Sequence, residues 1–327
     1  MCRLKVIKTD CTDPYVNLAA EEYLTMNAED GVMTMFLWQN AHTVVIGKNQ
    51  NPWRECNVEA IKRDGIYLAR RISGGGAVYH DMGNLNFTFI MCKEDYDLDK
   101  QVTVIQKACA LAGIQAEKSG RNDLLADGRK FSGNAQTVVN GRILHHGTIL
   151  FNTDISILSK ALTPDPEKIQ SKGIKSVSSR VVNLSELLPE GMDASRLTAL
   201  LSDEVCEMYG ASEYELSETE LKRAEKLADE KYRTWDWNFG YSPKYTFTKK
   251  KRFDGGTVSA FITVYEGKIE EIKIFGDFFG VMDVSDIETA LIGKKHNESA
   301  VREALMQFEI GNYFGKICLS ELLEVLL

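Results

Sequence analysis

The sequence has no apolar run long enough to cross a membrane and no cysteine pair at metal-binding spacing. A membrane-spanning helix needs roughly 20 consecutive apolar residues, and no stretch comes near that length. The amino terminus, MCRLKVIKTD, lacks the pattern of a secretory signal. Seven cysteines are widely scattered without a CxxC pair, which argues against a zinc or redox site. These absences predict a reduced, cytoplasmic protein that makes no membrane contact.

Positive charge is also scarce. Lys and Arg total 39 against 47 Asp and Glu, so the formal net charge is −8. Because nucleic-acid-binding surfaces are usually broadly basic, we expect no nucleic-acid partner. The hydrophobic fraction of 44% and the charged fraction of 26% are ordinary for a globular protein. A chain of 327 residues has room for one large core or for two domains.

The usual phosphate-binding and hydrolase signatures are missing, although glycines are concentrated in RRISGGGAVYHD (70–81). The stretch contains neither GxGxxG leading into a helix nor GxxxxGK(S/T), and no GxSxG surrounds its serine. Consecutive glycines nevertheless let backbone N–H groups approach an anion, and Arg70 and Arg71 can donate to phosphate or carboxylate. A tight turn with solvated arginines is the simpler interpretation of this stretch taken alone.

Two further segments carry positive charge beside small residues. In GRNDLLADGRKFSGNAQ (120–136), Lys130 follows a predicted turn and precedes Ser132 and Gly133, which suits a buried cation that stabilises developing negative charge. In SKGIKSVSSRVVNL (171–184), lysines and an arginine stand among hydroxyl residues. That composition fits a loop that closes over a polyanion, and it fits an ordinary surface loop equally well.

Local patterns predict a mixed α/β domain in the first half of the chain. A helix is expected from Pro14, which follows the N-cap candidate Asp13. Three apolar runs predict strands of a largely buried sheet, at residues 32–38, 43–47 and 66–72. The alternation in LNFTFIMC predicts a strand directly after the segment around Gly74–Gly76, which we call the glycine loop. The glycine loop should therefore lie between two strands.

The centre of the sequence is expected to be rich in β-structure. Asp127-Gly128 and Asn140-Gly141 are typical of two-residue hairpin turns and are flanked by apolar stretches. His145 and His146 fall on the strand predicted after the second turn. Because neighbours on a strand point to opposite faces, these two histidines cannot readily share a metal ion.

An aromatic stretch, RTWDWNFGYSPKYTF (233–247), separates this part from the rest of the chain. Beyond it, a hairpin-like pair of strands and three helical segments restart the pattern. We therefore expect a boundary near 240–246, with one domain at 1–243 and a second at 244–327. The second, with about 80 residues, is large enough to fold alone.

Several segments together resemble the lipoate-protein ligase family. They are RRISGGGAVYHDMGN, GRNDLLADGRKFSGNAQ and HHGTILFN followed by KGIKSVSSRVVNL, together with DPYVNLAAEEYL, LWQNAHTVVIGKNQNPWRECN and WDWNFG. The resemblance covers residues 1 to about 240, and the remainder looks like the accessory domain of two-domain members. It implies an α/β (α+β) fold, in which a mixed-sheet catalytic domain of the biotin- and lipoyl-ligase type carries a small α+β accessory domain.

The resemblance also implies an ATP-dependent reaction in two steps. Lipoate, or octanoate, would be activated to an acyl-AMP with release of pyrophosphate, and the acyl group would then pass to a specific lysine of an acceptor. The implied acceptors are lipoyl domains of 2-oxoacid dehydrogenase E2 subunits and the glycine cleavage H protein. Mg²⁺ would accompany ATP, and such an enzyme is expected to be a cytoplasmic monomer.

Carried over by motif position, the resemblance implies three groups of site residues. Those implied for ATP are Arg71, Gly76, Ala77, Val78, Tyr79 and Lys130. Those implied for lipoate are Arg71, Ser73, Gly74, Gly75, His80 and Lys130, with the glycines leaving room for the acyl chain. Further candidates are Asn84, Asn122, Asp123, Gly133, Lys172 and Ser176. Lys130 would be the catalytic electrostatic clamp between the lipoyl carboxyl oxygen and the α-phosphate, and Mg²⁺ would be held by Asp123 or through the phosphates alone.

Three other functions compete with this one. An ATP-independent octanoyl or lipoyl transferase needs a reactive cysteine in the later part of the catalytic domain, and none stands between Cys109 and Cys206. Cys206 lies on a predicted amphipathic helix and is expected to be a core residue.

A non-catalytic lipoate or nucleotide sensor would not need Lys130 together with the whole ATP-facing set. A biotin ligase fits RRISGGGAVYHD less well, and Arg70 has no assigned role.

Overall fold

The computed structural model describes most of the chain in two parts, each with its own sheets. The first part contains an eight-stranded mixed sheet and a small three-stranded sheet, and the second contains a three-stranded antiparallel sheet. The described residues are 3–50, 52–120, 123–162, 180–188, 191–210, 212–238, 247–265, 268–296 and 298–327. Within these residues, no helix has both the length and the apolar character required to cross a bilayer.

The strands of the first part form a mixed arrangement. In chain order they are β1 (Arg3–Lys8), β2 (Val32–Trp38), β3 (Thr43–Ile46), β4 (Tyr67–Arg70), β5 (Val78–His80), β6 (Asn84–Cys92), β7 (Ala116–Ser119), β8 (Asp123–Ala126), β9 (Arg129–Val139), β10 (Arg142–Leu150) and β11 (Ser212–Glu213). The large sheet has the order β11-β1-β2-β6-β10-β9-β8-β7, and the small sheet has the order β4-β3-β5. Pairing is parallel from β11 to β2 and antiparallel from β2 to β7. The predicted mixed sheet is thus confirmed.

Helices cover both faces of the large sheet. Those of the first part are α1 (Pro14–Met26), α2 (Pro52–Glu55), α3 (Val58–Arg63), α4 (Leu98–Leu111), α5 (Ile155–Ala161), α6 (Ala194–Tyr209), α7 (Glu218–Leu227) and α8 (Trp235–Asn238). One apolar core joins α4 and α6 to one face of the sheet. Another joins α1, α7 and the small sheet to the opposite face. The glycine loop belongs to this second face, because it connects β4 to β5.

Strand β6 shows how an alternating sequence divides its side chains between the two faces. Phe87 and Phe89 are fully buried in the core with α4 and α6. Thr88, between them, points to the other face, where its hydroxyl donates to Glu21 of α1 (Oγ1 to Oε1, 2.6 Å). The predicted alternation is confirmed, and it supplies polar groups to the face that carries the glycine loop.

Strand β10 separates its two adjacent histidines in the same way. His145 contacts Gln101 (Nδ1 to Oε1, 2.6 Å) and Asn134 (Nε2 to Oδ1, 3.2 Å) on the α4 side of the sheet. His146 points to the opposite side and contacts Glu21 (Nδ1 to Oε1, 2.7 Å). The two imidazoles therefore lie on opposite faces, as predicted.

Both predicted hairpin turns are present. Asp127 and Gly128 have φ angles of 50° and 69°, and Asn140 and Gly141 have φ angles of 49° and 75°. Positive φ at both central residues defines the type I′ turn that favours Asp-Gly and Asn-Gly. The first turn joins β8 to β9, and the second joins β9 to β10.

Helix α1 begins as predicted but buries an unexpected face. The Asp13 side chain caps it by accepting from the backbone N–H groups of the first turn. Asn17, Glu21 and Thr25 are buried at every fourth position of the helix. Apolar spacing predicts the helix but not this polar row, because the partners of the row are distant in sequence or lie on the helix backbone itself. Asn17 donates to the carbonyls of Cys11 and Gln39, Glu21 contacts Thr88 and His146 on the sheet, and Thr25 donates to the carbonyl of Glu21.

Arg70 has a structural role. Its guanidinium is buried and donates to backbone carbonyls of the 47–50 loop and to the carbonyls of Trp237 (2.9 Å) and Asn238 (3.0 Å). Its own backbone carbonyl accepts from the Trp237 indole N–H (2.9 Å). One buried arginine thus holds together two segments that lie far apart in the sequence, which explains why Arg70 points away from the glycine loop.

The second part is an α+β unit with its own core. Its strands are β12 (Phe247–Phe253), β13 (Gly256–Tyr265) and β14 (Lys268–Gly276), and its helices are α9 (Ser285–Leu291), α10 (Glu298–Leu305), α11 (Ile310–Phe314) and α12 (Leu319–Leu326). Among the residues that the structure describes, the apolar core of this unit contains residues from 258 to 326 and none from the first part. The expected boundary at 240–246 lies outside the described residues, so the limits 1–243 and 244–327 stay a prediction.

The two parts touch at the glycine loop. Lys48 forms an ion pair with Asp283. The backbone N–H of Gly75 donates to the carbonyl of Phe278, which follows β14 (3.4 Å). The loop of the first part is therefore covered by a segment of the second.

Protonation of His145 is expected to destabilise the fold in mild acid. Burial, with a smaller contribution from His146, lowers the pKa of His145 from 6.5 to about 3. Below pH 6.5 the unfolded chain binds a proton that the folded chain does not, so this stability is complete above pH 6.5 and is lost progressively as the pH falls toward 3. Between pH 7 and pH 5 the free energy of unfolding should fall by about 2 kcal/mol because of this residue.

Urea unfolding at the two pH values tests this expectation, with His145→Gln as the comparison. The variant keeps a polar side chain but has no proton to gain in this range. The difference in unfolding free energy between the two pH values should therefore shrink by about 2 kcal/mol. An unchanged difference would contradict the burial of a neutral imidazole at this position.

Candidate active site

Two cavities lie side by side where the glycine loop meets strands β9 and β10. The first has a volume of about 170 Å³ and the second a volume of about 180 Å³. The residues that line both are Ala77, Val78, Lys130, Gly133 and Thr148. The two cavities are therefore neighbours with a common wall.

Lys130 stands in this common wall, near the start of β9. Its ammonium forms an ion pair with Asp123 on β8 (Nζ to Oδ1, 2.6 Å), and the two side chains are 37% and 35% exposed. Its backbone N–H donates to the carbonyl of Arg180 (2.9 Å), and its carbonyl accepts from the N–H of Val182 (2.9 Å). The lysine is thus held by backbone bonds on one side and by a carboxylate on the other, with its charge directed toward the cavities.

Gly133 determines the path of the Lys130 side chain. A Cβ atom at position 133 would lie 3.0 Å from the Lys130 Nζ and 3.1 Å from its Cε. A side chain at this position would therefore push the ammonium away. The absence of a side chain at Gly133 leaves room for the ammonium in this position.

The guanidinium of Arg71 is buried and holds the glycine loop from the inside. Its Nη2 donates to the carbonyls of Gly74 (2.7 Å) and Gly76 (2.8 Å), its Nε donates to the Ser73 hydroxyl (3.1 Å), and its Nη1 donates to the carbonyl of Val45 (3.2 Å). Burial lowers the pKa of Arg71 to about 10, so the side chain is still a cation at neutral pH. A fixed positive charge therefore lies under the loop at the edge of the first cavity.

The space over Gly74 and Gly75 is filled by the second part of the chain. A Cβ atom at position 74 would lie 2.9 Å from the carbonyl oxygen of Phe278, and one at position 75 would lie 3.0 Å from the ring of Phe279. The Phe279 ring also lines the first cavity. The room that these glycines were expected to leave for an acyl chain is thus taken here by the Phe278–Phe279 segment.

His80 places a neutral donor in the wall of the first cavity. Asn17 donates to Asn40 Oδ1 (3.0 Å), which turns the Asn40 amide nitrogen toward His80 Nδ1 (3.2 Å). The imidazole therefore accepts at Nδ1 and carries its proton on Nε2, which has no hydrogen-bond partner among the described residues. Burial, with a smaller contribution from the positive charge of Arg71, lowers the pKa of His80 to about 3. An uncharged N–H is thus available to a ligand.

A buried carboxylate and a second histidine lie beside the same cavity. Glu21 is completely buried, and its Oε1 contacts both His146 Nδ1 (2.7 Å) and Thr88 Oγ1 (2.6 Å). The other nitrogen of His146 contacts the Ser73 hydroxyl (2.7 Å). Sequence reasoning missed Glu21 and considered His146 only as a metal ligand. The polar row along α1 was the available signal.

The second cavity contains three buried polar atoms without a hydrogen-bond partner in the described structure. They are Asn84 Oδ1, Ser132 Oγ and Thr153 Oγ1. The amide of Asn84 is oriented by its neighbour, because its Nδ2 donates to Asn86 Oδ1 (2.9 Å). An unsatisfied buried polar atom costs roughly 1–3 kcal/mol, so these three atoms give the cavity hydrogen-bonding capacity for water or for a polar ligand. Sequence reasoning named Ser132 only as a neighbour of Lys130 and did not name Thr153.

The structure brings most of the predicted site residues together. Those that line the first cavity are Arg71, Gly76, Ala77, Val78, His80, Lys130 and Gly133. Those that line the second are Ala77, Val78, Tyr79, Asn84, Lys130 and Gly133. Ser73, Gly74 and Gly75 line neither of the two and contact Arg71 instead. Asn122, Lys172 and Ser176 lie outside the described residues.

Metal ligands are sparse in the described part of the chain. It contains no group of three or more His, Cys, Asp or Glu side chains arranged to hold a metal ion. Asp123, the carboxylate predicted for Mg²⁺, is paired with Lys130. It could therefore contribute a single ligand to a metal ion that is held mainly by a substrate.

Burial weakens the acidity of two cysteines that bear on the transferase alternative. It raises the pKa of Cys109 to about 12, and it also raises the pKa of Cys206. Cys206 is half-buried on α6 and packs against the core, so it is less deeply buried than predicted. Neither thiol has the depressed pKa of a reactive thiolate.

Known proteins resemble this chain over nearly its whole length. Residues 13–205 match the family described as the lipoyl protein ligase A/B catalytic domain, and residues 242–326 match the bacterial lipoate protein ligase C-terminus. Lipoate-protein ligase LplJ of Bacillus subtilis (strain 168) is 41% identical over 321 residues, which cover 96% of this chain and 97% of that protein.

Solved structures with bound ligands share the fold. LipL1 of P. falciparum in complex with lipoate has a TM-score of 0.83 and 29% identity, and the match covers 98% of this chain and 99% of that one. A lipoate-protein ligase A bound with ATP has a TM-score of 0.63 and 26% identity, and the match covers 73% of this chain and 98% of that one. The expected mixed-sheet domain with a small C-terminal unit is confirmed.

Gly75→Ala should destabilise the protein more than Gly141→Ala. Both glycines have positive φ angles (95° and 75°), at which alanine is strained by about 1–2 kcal/mol. Nothing lies within 4 Å of a Cβ atom at position 141, whereas one at position 75 would lie 2.8 Å from Arg71 Nη2. Urea unfolding should therefore show an additional loss of about 1–3 kcal/mol for Gly75→Ala. Equal losses would mean that Arg71 does not pack against the loop.

Proposed function

The chain belongs to the lipoate-protein ligase family, and on that premise we propose that it modifies acceptor proteins in two ATP-dependent steps. In the first step, a carboxylate oxygen of lipoate attacks the α-phosphorus of ATP, and lipoyl-AMP and pyrophosphate are formed. In the second step, the ε-amine of an acceptor lysine attacks the acyl carbonyl, an amide forms, the amine loses a proton and AMP leaves. Octanoate can enter by the same route.

The observation that carries this proposal is the position of Lys130 in the wall common to both cavities. A carboxylate in the first cavity and a triphosphate in the second would meet at its ammonium. Both reacting groups are anions, so the first step needs a fixed cation between them. Lys130 would neutralise charge in both steps without forming a covalent bond to the substrate.

The first cavity suits the lipoyl group. Leu18, Trp38 and Val45 contribute apolar surface, and His80 contributes one N–H. An apolar pocket with a few placed donors is suited to an aliphatic acid. The acyl chain would lie along the apolar side chains with its carboxylate toward Lys130. Gly74 and Gly75 would act indirectly, by admitting Phe279 to the wall.

The second cavity suits adenosine. Asn84 Oδ1 would accept from the 6-amino group of adenine, and the hydroxyls of Ser132 and Thr153 can donate to ring nitrogens or accept from the ribose. Residues 76–79 would present their backbone to the phosphates. ATP would thus satisfy polar atoms that the protein leaves unpaired.

Arg71 and Mg²⁺ would offset the remaining negative charge of the first step. Arg71 keeps its charge at neutral pH, since its pKa is about 10. Mg²⁺ is commonly bound through one or two carboxylates together with substrate phosphates, and Asp123 is such a carboxylate beside Lys130. Asp123 and the phosphate oxygens would hold the ion, which would act as a Lewis acid on ATP.

The proposed acceptors are lipoyl domains of 2-oxoacid dehydrogenase E2 subunits and the glycine cleavage H protein. Their lysine would have to reach the first cavity close to Lys130, where the acyl carbonyl is proposed to lie. We propose that the enzyme acts on them as a cytoplasmic monomer.

Lipoate-dependent exchange of labelled pyrophosphate into ATP tests the first step. With Mg²⁺ present, the wild-type protein should catalyse exchange when lipoate is added and not in its absence. Failure of the folded protein to do so would refute the ATP-dependent reaction. Transfer of an acyl group to a lipoyl domain without ATP would favour the transferase.

Lys130→Ala should reduce exchange about 100-fold or more, because it removes the cation between the two anions. The fold should survive, since a partly exposed ion pair contributes less than about 1 kcal/mol. Lys118→Ala is the matched control, because Lys118 is 38% exposed and pairs with Asp99 over the same distance of 2.6 Å. The control should keep wild-type exchange, and near-normal exchange in Lys130→Ala would contradict the role proposed for this lysine.

Asn84→Ala should raise the KM for ATP about tenfold, because it removes a hydrogen bond worth about 1.4 kcal/mol. The KM for lipoate should change by less than about twofold, since Asn84 lines only the second of the two cavities. Exchange rates measured over a range of each substrate separate the two effects. A raised KM for lipoate with an unchanged KM for ATP would mean that the two cavities are assigned the wrong way round.

A further inference from the structure

A continuous chain of hydrogen bonds links α1, three strands of the large sheet and the glycine loop. Every member is buried, and three of them, Trp38, His146 and Arg71, line the first cavity. The members in order are Trp38, Thr88, Glu21, His146, Ser73 and Arg71. We refer to these six residues as the buried relay.

The two ends of the buried relay fix the direction of its outer bonds. The indole N–H of Trp38 and the Nε–H of Arg71 can only donate. Thr88 Oγ1 therefore accepts from Trp38 (3.0 Å), and Ser73 Oγ accepts from Arg71 (3.1 Å). Each hydroxyl then has its own proton left to donate inward.

The inner bonds follow from the outer ones. Thr88 donates to Glu21 Oε1, and Ser73 donates to His146 Nε2. His146 must then carry its proton on Nδ1, which donates to the same oxygen of Glu21. The Ser73 hydroxyl lies closer to His146 Nε2 (2.7 Å) than to the carbonyl of Gly74 (3.4 Å). With the Ser73 proton directed to His146, five protons serve five bonds when Glu21 is ionised and His146 is neutral.

We propose that Glu21 and His146 are positioning residues of the ligation reaction, which hold the Arg71 guanidinium through the Ser73 hydroxyl. This inference rests on the proposed function. Because Arg71 also donates to the carbonyls of Gly74 and Gly76, its orientation sets the shape of the loop proposed to receive ATP. The relay is therefore expected to affect ATP binding, although Glu21 and His146 are not proposed to contact ATP.

The connection between the two halves of the relay is a single atom. Ser73 Oγ accepts from Arg71 and donates to His146, and the Ser73 side chain is completely buried. Water is therefore not available to replace either bond. The Nε–H of Arg71 also donates to the carbonyl of Gly74 (3.1 Å). Loss of the hydroxyl, or of the imidazole that fixes it, would leave this carbonyl as its remaining acceptor.

Burial of the Glu21 carboxylate at the centre of the relay is energetically unfavourable. Glu21 is completely buried, and its Oε2 has no partner among the described residues. Burying a charged group with an unsatisfied oxygen is unfavourable. The other oxygen, Oε1, accepts hydrogen bonds from Thr88 and His146 and so joins the two halves of the relay. A side chain kept only for packing would not need to make these bonds.

Hydrogen exchange of the Arg71 Nε–H tests the relay without the reaction. NMR of protein containing 15N-labelled arginine follows this proton directly. In the wild-type protein it should exchange slowly, and Ser73→Ala and His146→Leu should each speed its exchange about tenfold, as expected for the loss of one hydrogen bond. Unchanged exchange in both variants would overturn the proposal.

The KM for ATP in pyrophosphate exchange reports the consequence for the reaction. Ser73→Ala and His146→Leu should each raise this KM about tenfold. The double variant should be no more than about twofold worse than the worse single variant, because both substitutions interrupt the same chain. Wild-type KM values in the single variants, or effects that multiply in the double variant, would overturn the proposal.

Conservative and matched variants separate positioning from folding. Glu21→Leu should behave like His146→Leu, and Glu21→Gln should recover most of the loss, because its Oε1 can still accept from Thr88 and His146.

His145→Leu changes a buried histidine on the same strand but on the opposite face. It should lower stability and leave the KM for ATP within about twofold of wild type. An equal KM effect in His145→Leu and His146→Leu would mean that the effect is a general property of β10 and would refute the relay.

Failure of this inference is distinguishable from failure of the proposed function. If the wild-type protein shows no lipoate-dependent exchange, the proposed function fails. The exchange rate of the Arg71 Nε–H still decides whether Glu21 and His146 hold the arginine. If the wild-type protein is active and the variants match it in both measurements, only the relay is refuted.

Discussion

Lys130 can serve two cavities only because its backbone and the path of its side chain are both fixed. The Asp127-Gly128 turn sets β9 against β8, so the lysine pairs with Asp123, and Gly133 leaves the space over which the side chain runs. The proposed acyl cavity lies on one side of this ammonium and the proposed nucleotide cavity on the other. A displacement of about 1 Å can disable a catalytic arrangement, so the geometry of the hairpin is a condition for everything else in the site.

Two adjacent arginines show how strand geometry divides one sequence motif between two tasks. Arg70 ends β4 and directs its guanidinium toward the 47–50 loop and the residues of α8, where backbone carbonyls surround it. Arg71 points the other way, into the glycine loop. Both are buried cations bonded largely to backbone oxygen, and of the two Arg71 is the one that lines the first cavity. The first holds the scaffold together, and the second gives the loop its charge.

Features encoded by neighbouring residues could be predicted from the sequence, and features encoded by distant pairs could not. The two hairpin turns need only positive φ at Asp-Gly and Asn-Gly, and the opposed faces of His145 and His146 need only the pleat of a strand. The contact of Glu21 with His146 joins residues 125 positions apart, and no local pattern records it. The same holds for Phe279, which reaches the glycine loop from the second part of the chain. Motif resemblance named most of the residues of the proposed site, but the fold was needed to show which of them face a cavity and which support those that do.

The segment Phe278–Phe279 makes the second part of the chain a component of the proposed binding cleft. Its backbone accepts from the glycine loop, and its second ring lines the first cavity. Occupancy of the cleft and docking of the two parts are therefore linked equilibria, in which each alters the other by the same factor. A substitution at the Lys48–Asp283 contact, remote from the reacting atoms, thus changes substrate affinity to the extent that ligand binding and docking are coupled. The affinity of the cleft is in this sense a property of the whole chain.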